Sequence, residues 1–147
     1  MIEKLLIICV GNICRSPMAE ALFAEKLKQT SPDVSVSSAG LGALVNHSAD
    51  PFAQDLMRAR GLDISFHRAR QATQEIYFNA DLILTMSTGQ QEEIESKFPS
   101  ARGRVQRLGK WGEYDIVDPY KRPKAIFEQA LQLIDQGVND WYKKLWG

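Results

Sequence analysis

Near the start of the chain, Cys9 and Arg15 enclose five residues. An apolar run, residues 5–8, precedes them, and Pro17 opens a helical pattern behind them. A loop between a strand and a helix N-terminus can direct several backbone N–H groups at a tetrahedral oxyanion. Arg15 can add a two-pronged guanidinium contact. The spacing therefore predicts a loop that binds a phosphate-like anion beside Cys9, formed by Val10, Gly11, Asn12, Ile13, Cys14 and Ser16.

Cys9 is the candidate nucleophile of this loop. A thiol with its ordinary pKa of about 8.5 reacts slowly at neutral pH, and a helix N-terminus with a nearby cation favours the thiolate. Gly11 is expected to supply backbone freedom, and Asn12 to accept a left-handed conformation or to lock the loop through its amide. Ser16 has two possible duties, capping the helix or donating its hydroxyl to the Cys9 sulfur. The sequence leaves both open.

The segment from Cys9 to Pro17 resembles the signature of the low-molecular-weight protein tyrosine phosphatases. A second segment, Asp118-Pro119-Tyr120, is similar to the general-acid loop of that family. Residues 38–40 and 67–71 also look like family segments, so the resemblance covers nearly the whole chain. It implies hydrolysis of phosphotyrosine through a phosphocysteine, with Cys9 as nucleophile, Arg15 as phosphate clamp and Asp118 as general acid and then base. It implies no metal and no cofactor.

The walls of a substrate pocket can also be assigned. Tyr120 offers an aromatic wall, and Ile13 an apolar floor, for a phenyl ring. In the family, isoleucine at the position of Ile13 is associated with tyrosine phosphatases, whereas threonine marks the related protein-arginine phosphatases. Leu41, Leu44 and His47, in the loop after the second strand, are expected to form the opposite rim. This loop resembles bacterial rather than animal members of the family.

Other polar residues near the loop have supporting or open roles. Ser38 and His67 are expected to brace Asn12, as the resemblance implies for the histidine. Cys14 either forms a regulatory disulfide with Cys9, which would protect the nucleophile from overoxidation, or fills the loop interior as a small apolar residue. Four further arginines are interpreted as solvated or ion-paired surface groups rather than substrate contacts: Arg58, Arg60, Arg68 and Arg70.

The composition of the chain limits the classes of protein to which it can belong. The chain has 147 residues and 44% hydrophobic content, which fits one domain, residues 1–147, with a proper core. A formal net charge of zero argues against nucleic-acid binding and against a polybasic membrane contact. Two cysteines exclude a disulfide-stapled scaffold and a four-cysteine zinc site. No signal-peptide pattern and no membrane-length apolar run are present, so a cytoplasmic protein without membrane insertion is expected. A monomer is also predicted.

Strand and helix patterns alternate along the chain. Strands are predicted at residues 4–10, 34–37, 81–86 and 104–108. Helices are predicted from Pro17 with Ser16 as N-cap, from Pro51 with Asp50 before it, over residues 88–97 and over residues 123–145. This order indicates an α/β fold, a single three-layer domain with a four-stranded parallel sheet and helices on both faces. The anion-binding loop follows the first strand, at the carboxyl edge where ligands bind in such sheets.

Three alternatives to a tyrosine phosphatase remain open. An arsenate reductase shares this fold and loop but passes oxidation to cysteines outside the loop, and the chain has none there. A protein-arginine phosphatase is disfavoured by Ile13. A non-catalytic phosphate-binding module is disfavoured because both Cys9 and Asp118 are present. For the favoured function, the resemblance implies a phosphotyrosine protein as partner, specifically an autophosphorylated bacterial tyrosine kinase of capsule or exopolysaccharide synthesis.

Overall fold

Four parallel strands form the sheet. The computed structural model describes all 147 residues of the chain. The strands are β1 (Lys4–Cys9), β2 (Ser35–Gly40), β3 (Leu82–Thr85) and β4 (Val105–Arg107). They pair in the order β2-β1-β3-β4, and every pair is parallel. From Leu5 to Cys9 the central strand β1 is buried on both faces, which explains its unbroken apolar run.

Helices cover both faces of this sheet. They are α1 (Arg15–Thr30), α2 (Pro51–Arg58), α3 (Gln74–Asn79), α4 (Thr88–Lys97) and α5 (Lys124–Leu145). Leu5 and Ile7 share one core with α1, α2 and α5, whereas Leu6 and Ile8 share a smaller core with α3 and α4. The predicted three-layer α/β fold is therefore confirmed. None of the helices has the length and apolar character needed to cross a membrane.

Several boundaries differ from those predicted. Helix α1 begins at Arg15, after Cys14, so Ser16 lies inside the helix and does not cap it. Strand β2 runs on to Gly40 because its pairing with β1 continues through Cys9. The short helix α3 was not predicted, since six residues give too brief a periodic pattern. Its N-cap, Thr73, accepts a hydrogen bond from the N–H of Ile76.

The connection from β1 to α1 determines where chemistry can occur. Cys9 is the last residue of β1 and α1 starts at Arg15, so the loop between them lies at the carboxyl edge of the central strand. Gly40, at the end of the neighbouring strand β2, pairs with Cys9 in register. The backbone N–H groups at the start of α1 therefore face the same end of the sheet as the Cys9 thiol.

Candidate active site

The carbonyl groups of the loop all point away from its centre. Each of the five carbonyl oxygens of residues 9–13 accepts a hydrogen bond from outside the loop, at 2.7 to 3.1 Å. The donors are the N–H groups of Leu41, Gly42, Leu44 and Asp50 and the imidazole of His67. Because a carbonyl oxygen can only accept, the Nε2 atom of His67 carries the hydrogen that it donates to Asn12. The segment after β2 thus holds the loop in place from outside.

The N–H groups of the same loop have the opposite arrangement. Between Val10 and Cys14, no backbone N–H donates to any acceptor of the protein. The segment leads directly into the N-terminus of α1, where the first N–H groups of a helix also lack backbone partners. Helix N-termini favour negative charge, and clustered free N–H groups bind oxyanions. The loop can therefore surround a phosphate-sized anion.

Arg15 presents an unused donor to this loop. Its side chain is 5% exposed, and its Nη1 atom donates to the carbonyl of Ile116 at 2.8 Å. Its Nε atom is the buried side-chain nitrogen or oxygen of the structure that has no hydrogen-bond partner. Nη2 lies 3.6 Å from the Asp118 carboxylate. Since Nε and Nη2 form one edge of the guanidinium group, that edge is available for a two-pronged contact with an anion.

Ser16 is positioned to donate to the candidate nucleophile. Its Oγ atom lies 2.9 Å from the Cys9 sulfur. The same Oγ accepts a hydrogen bond from Nδ2 of Asn12 at 2.7 Å, which leaves the hydroxyl hydrogen free for the sulfur. Of the two duties that the sequence left open for Ser16, the structure supports this one. A hydroxyl that donates to sulfur stabilises the thiolate form.

Asn12 joins the loop to two other parts of the chain. It adopts the left-handed conformation, with φ of 59°, and is fully buried. Its Nδ2 atom also donates to Ser38 at 3.0 Å, and its Oδ1 atom accepts from the backbone N–H of Arg70 at 3.0 Å. Ser38 in turn donates to the carboxylate of Glu20. With His67 on its carbonyl, Asn12 has the partners Ser38 and His67 that the sequence predicts.

Two residues of this network were missed. Glu20 lies four positions after Ser16 in α1, and this helical spacing was the signal that could have identified it. Arg70 is exposed, as expected for a surface cation, and it does not line the cavity, but it also supports the loop. Besides its backbone N–H, its Nε atom donates to the carbonyl of Ser38. No sequence pattern reveals a backbone donor that the fold brings to Asn12 from 58 positions away.

A cavity of about 100 Å³ opens over the loop. Its lining consists of Cys9, Val10, Gly11, Ile13, Cys14, Arg15, Gly42, Leu44, Asp118 and Tyr120. Asp118 is half exposed, and its Oδ1 atom accepts a hydrogen bond from the N–H of Tyr120 at 3.2 Å. The structure therefore brings the candidate nucleophile, the guanidinium and the candidate acid to one small cavity.

Four predicted site residues lie elsewhere. The side chains of Asn12 and Ser16 are buried beneath the loop and do not line the cavity, so they position the loop rather than touch a ligand. Leu41 packs against the smaller core that contains Tyr77. His47 is exposed and absent from the lining. The rim expected from Leu41, Leu44 and His47 is therefore formed by Leu44 together with Gly42, which the sequence reasoning missed.

Cys14 differs from Cys9 in its surroundings. Burial, followed by the nearby Asp50, Cys9 and Asp118 groups, raises the pKa of the Cys14 thiol far above its usual range. Cys14 is therefore a neutral thiol at physiological pH. Both cysteines are free, and a regulatory disulfide between them stays a prediction. No group of three or more histidine, cysteine, aspartate or glutamate side chains is arranged to hold a metal ion.

Gly11 does not have the role expected for it. Its φ lies outside the left-handed region, and a Cβ atom there would meet Ile13 and Leu44 at 3.8 Å, an ordinary contact distance. The left-handed turn falls on Asn12 instead. Gly40 is the constrained glycine of the site, because a Cβ atom there would lie 2.5 Å from the carbonyl oxygen of Val10.

Sequence and structure comparisons find similar proteins over the whole chain. The family described as low molecular weight phosphotyrosine protein phosphatase matches residues 4–146. The chain is 48% identical over 145 residues to the probable low molecular weight protein-tyrosine-phosphatase EpsP of Ralstonia nicotianae, covering 99% of this chain and 97% of that protein. Among solved structures, Vibrio vulnificus Wzb in complex with benzylphosphonate aligns with a TM-score of 0.92 at 38% identity, over 99% of this chain and 100% of that one.

A solved arginine phosphatase is also similar. YwlE from Geobacillus stearothermophilus aligns with a TM-score of 0.88 at 30% identity, over 97% of this chain and 92% of that one. All of these chains match over nearly their full lengths, so the likeness extends to the whole fold.

Proposed function

The chain belongs to the low molecular weight protein-tyrosine-phosphatase family, and on that basis we propose that it hydrolyses phosphotyrosine through a covalent phosphocysteine. One observation carries the proposal: Cys9, Arg15 and Asp118 line the same cavity, above a loop whose N–H groups are free. Nucleophile, anion-binding groups and acid are the three parts that this chemistry needs.

In the first step, the Cys9 thiolate attacks phosphorus and the bond between phosphorus and the tyrosine oxygen breaks. Asp118, in its protonated form, gives a proton to the departing phenolate. The loop N–H groups and the free edge of Arg15 stabilise the charge on the equatorial oxygens, which is the main protein contribution to phosphoryl transfer. The bond from Nη1 of Arg15 to Ile116 orients the guanidinium before substrate arrives.

In the second step, water attacks the phosphocysteine and the bond between phosphorus and sulfur breaks. Asp118, now a carboxylate, accepts a proton from that water, and inorganic phosphate leaves. The departing thiolate receives the hydrogen bond from Ser16, which supports both steps because the sulfur is anionic before the first and after the second.

Selection of phosphotyrosine follows from the shape of the cavity. Tyr120 and Leu44 supply walls, and Ile13, which is 7% exposed, supplies an apolar floor. A phenyl ring can contact these groups while its phosphate reaches the loop, whereas the shorter phosphoserine side chain leaves the walls unfilled. Ile13 also supports tyrosine over arginine phosphatase activity, through the family pattern described above.

We infer that the physiological substrate is an autophosphorylated tyrosine kinase of capsule or exopolysaccharide export. The similarity to proteins named EpsP and Wzb supports this partner. We also propose that the enzyme is a monomer and that it acts in the cytoplasm. Reducing conditions in that compartment keep the Cys9 thiol out of disulfides.

The test is hydrolysis of phosphotyrosine, phosphoserine and phosphoarginine peptides in the presence of a chelator, with the native chain and two variants. We expect phosphotyrosine turnover that survives chelation and disappears in Cys9→Ser. In Asp118→Asn, kcat for phosphotyrosine should fall by about 100-fold or more, with inhibition by inorganic phosphate retained.

Other outcomes contradict the proposal in distinct ways. Turnover of phosphoarginine alone would favour the arginine phosphatase. Absence of any turnover would favour the arsenate reductase or the non-catalytic module. Unchanged kcat in Asp118→Asn would remove that residue from the mechanism.

A further inference from the structure

The turn that carries Tyr120 holds a lysine in an unfavourable backbone conformation. The N–H of Arg122 donates to the carbonyl of Pro119 at 2.9 Å and closes a four-residue turn. Lys121 is the third residue of this turn and has a φ of 61°. That position of a turn favours glycine, because a Cβ atom destabilises the left-handed conformation. The chain therefore retains a long cationic side chain where glycine would fit the backbone better.

The ammonium group of Lys121 lies beside the cavity. Its Nζ atom is 5.4 Å from the ring centroid of Tyr120, and Tyr120 lines the cavity. Lys121 is exposed and forms no ion pair with the protein. Backbone strain at a ligand-binding turn is a reason to look for function in the strained residue. An unpaired cation at this place can reach a group that flanks the phosphotyrosine.

The charge around Lys121 is a local property. The chain has a formal net charge of zero, yet Arg122 and Lys124 follow Lys121 closely and are also exposed. Arg122 has no ion pair, and Lys124 has only a long contact of 4.0 Å with Asp55. The one acidic residue that lines the cavity is Asp118, which is oriented towards Arg15 and towards the N–H of Tyr120. The segment that directly follows the cavity-lining Tyr120 therefore carries exposed positive charge.

We propose that Lys121 determines specificity, by binding an anionic group that lies within two residues of the phosphotyrosine in the substrate. This inference rests on the proposed function. The anionic group can be the carboxylate of an aspartate or glutamate or the phosphate of a second phosphotyrosine. A phosphate carries up to two negative charges, so a neighbouring phosphate should raise kcat/KM at least as much as a neighbouring carboxylate does.

The experiment measures kcat/KM for three phosphotyrosine peptides of equal length. One has neutral flanks, one has aspartates beside the phosphotyrosine, and one has a neighbouring non-hydrolysable phosphonate analogue of phosphotyrosine. We expect the native enzyme to favour the aspartate peptide over the neutral one by about threefold to fivefold, as for an exposed ion pair. The phosphonate peptide should show an equal or larger preference, and added salt should reduce both preferences.

Variants separate the local effect from net charge. Two variants remove the cation: Lys121→Gly, in which glycine fits the left-handed turn, and Lys121→Gln. In both, the ratio of kcat/KM for the anionic peptides to kcat/KM for the neutral peptide should fall to about one. Lys121→Arg should keep the preference. The matched control, Lys97→Gln, removes one positive charge from α4 and should also keep the preference.

Several results would overturn the inference. A preference that persists in Lys121→Gly, or that disappears equally in Lys97→Gln, shows that Lys121 does not supply it. Equal turnover of all three peptides by the native enzyme contradicts the inference and leaves the proposed function intact. Absence of turnover for every peptide overturns the proposed function as well. A preference for the phosphonate peptide alone, if it is lost in Lys121→Gly, supports the inference and identifies the anionic group as a second phosphate rather than a carboxylate.

Discussion

At the scale of single residues, the site depends on donors that have been placed before any ligand binds. Ser16 has its oxygen occupied by Asn12, so its hydrogen is directed to the Cys9 sulfur. Arg15 has one nitrogen fixed to a backbone carbonyl and another left without a partner. Preorganised donors of this kind stabilise developing charge without a reorganisation cost during the reaction. The contribution of each donor to kcat can be measured by removing one donor at a time.

Replacing Ser16 by alanine removes the hydroxyl donor to the nucleophile. Hydrogen bonds to charged groups contribute about 1.5 to 3 kcal/mol, so kcat for p-nitrophenyl phosphate should fall by about 10- to 150-fold. KM should change much less, because Ser16 does not line the cavity. Steady-state kinetics with the purified variant provides the measurement.

Ser87→Ala is the matched control. Ser87 is the N-cap of α4 and accepts a hydrogen bond from the N–H of Gln90. Loss of this capping hydrogen bond should lower the free energy of unfolding by about 1 kcal/mol and leave kcat within twofold of the native value. A Ser16→Ala enzyme with native kcat would show that the hydroxyl does not assist the sulfur.

At the scale of elements, the loop after β1 is shaped by the segment after β2. The carbonyl groups turn outwards because residues 41–50 and His67 donate to them, and the free N–H groups turn inwards as a consequence. Gly40, at the end of β2, is the first residue of the segment that contacts the loop. The ideal Cβ position at Gly40 lies 2.5 Å from the carbonyl oxygen of Val10 and 3.1 Å from Cβ of Asn12. The two segments can approach this closely only because residue 40 has no side chain.

We therefore expect Gly40→Ala to displace the loop. The free energy of unfolding should fall by about 1 to 3 kcal/mol, as in other overpacked sites, and inhibition by inorganic phosphate should weaken. Gly42→Ala is the comparison, because a Cβ atom at Gly42 meets nothing within 4 Å. Its unfolding free energy should stay within about 0.5 kcal/mol of native. Equal stability of the two variants in urea unfolding would contradict the close contact at Gly40.

At the scale of the whole molecule, the sheet separates a larger core from a smaller one. The smaller core, below α3 and α4, contains Tyr77, whose side chain is 3% exposed and packs against Phe98 at a ring distance of 5.1 Å. Burial, and then the charge of Glu93, raises the pKa of Tyr77 from 10.0 to about 12. Because the neutral form is favoured in the folded state, this group contributes stability below pH 10 that is lost as the pH rises towards 12.

Tyr77→Phe should make the protein less sensitive to alkali. Phenylalanine keeps the ring but cannot ionise, so the unfolding free energy should decline less steeply above about pH 10. Relative to the native chain, the variant should gain about 1 kcal/mol between pH 8 and pH 11. Urea unfolding at both pH values gives this difference, and parallel curves for the two proteins would exclude Tyr77 as the titrating group.

The sequence by itself determined the fold class, the family and the enzyme class, and these are confirmed. It could do so because the apolar run of β1, the octapeptide from Cys9 to Ser16 and Pro17 are consecutive, so their chemistry and their local structure are encoded together. The expectation for Asp118 came from a second short segment with its own chemistry. Local spacing carries such information because strands and helices each have a fixed periodicity, and turn residues mark the loops between them.

Only the tertiary structure decided which side chains touch the cavity and which support the loop. Leu41 and Leu44 lie three positions apart, yet one packs in the smaller core and the other lines the cavity. The contact between Arg70 and Asn12 and the close approach of Gly40 to Val10 join segments that are distant in sequence. Such contacts depend on how packed elements place their backbones, and side-chain patterns do not encode the position of a backbone N–H or the absence of space for a Cβ atom.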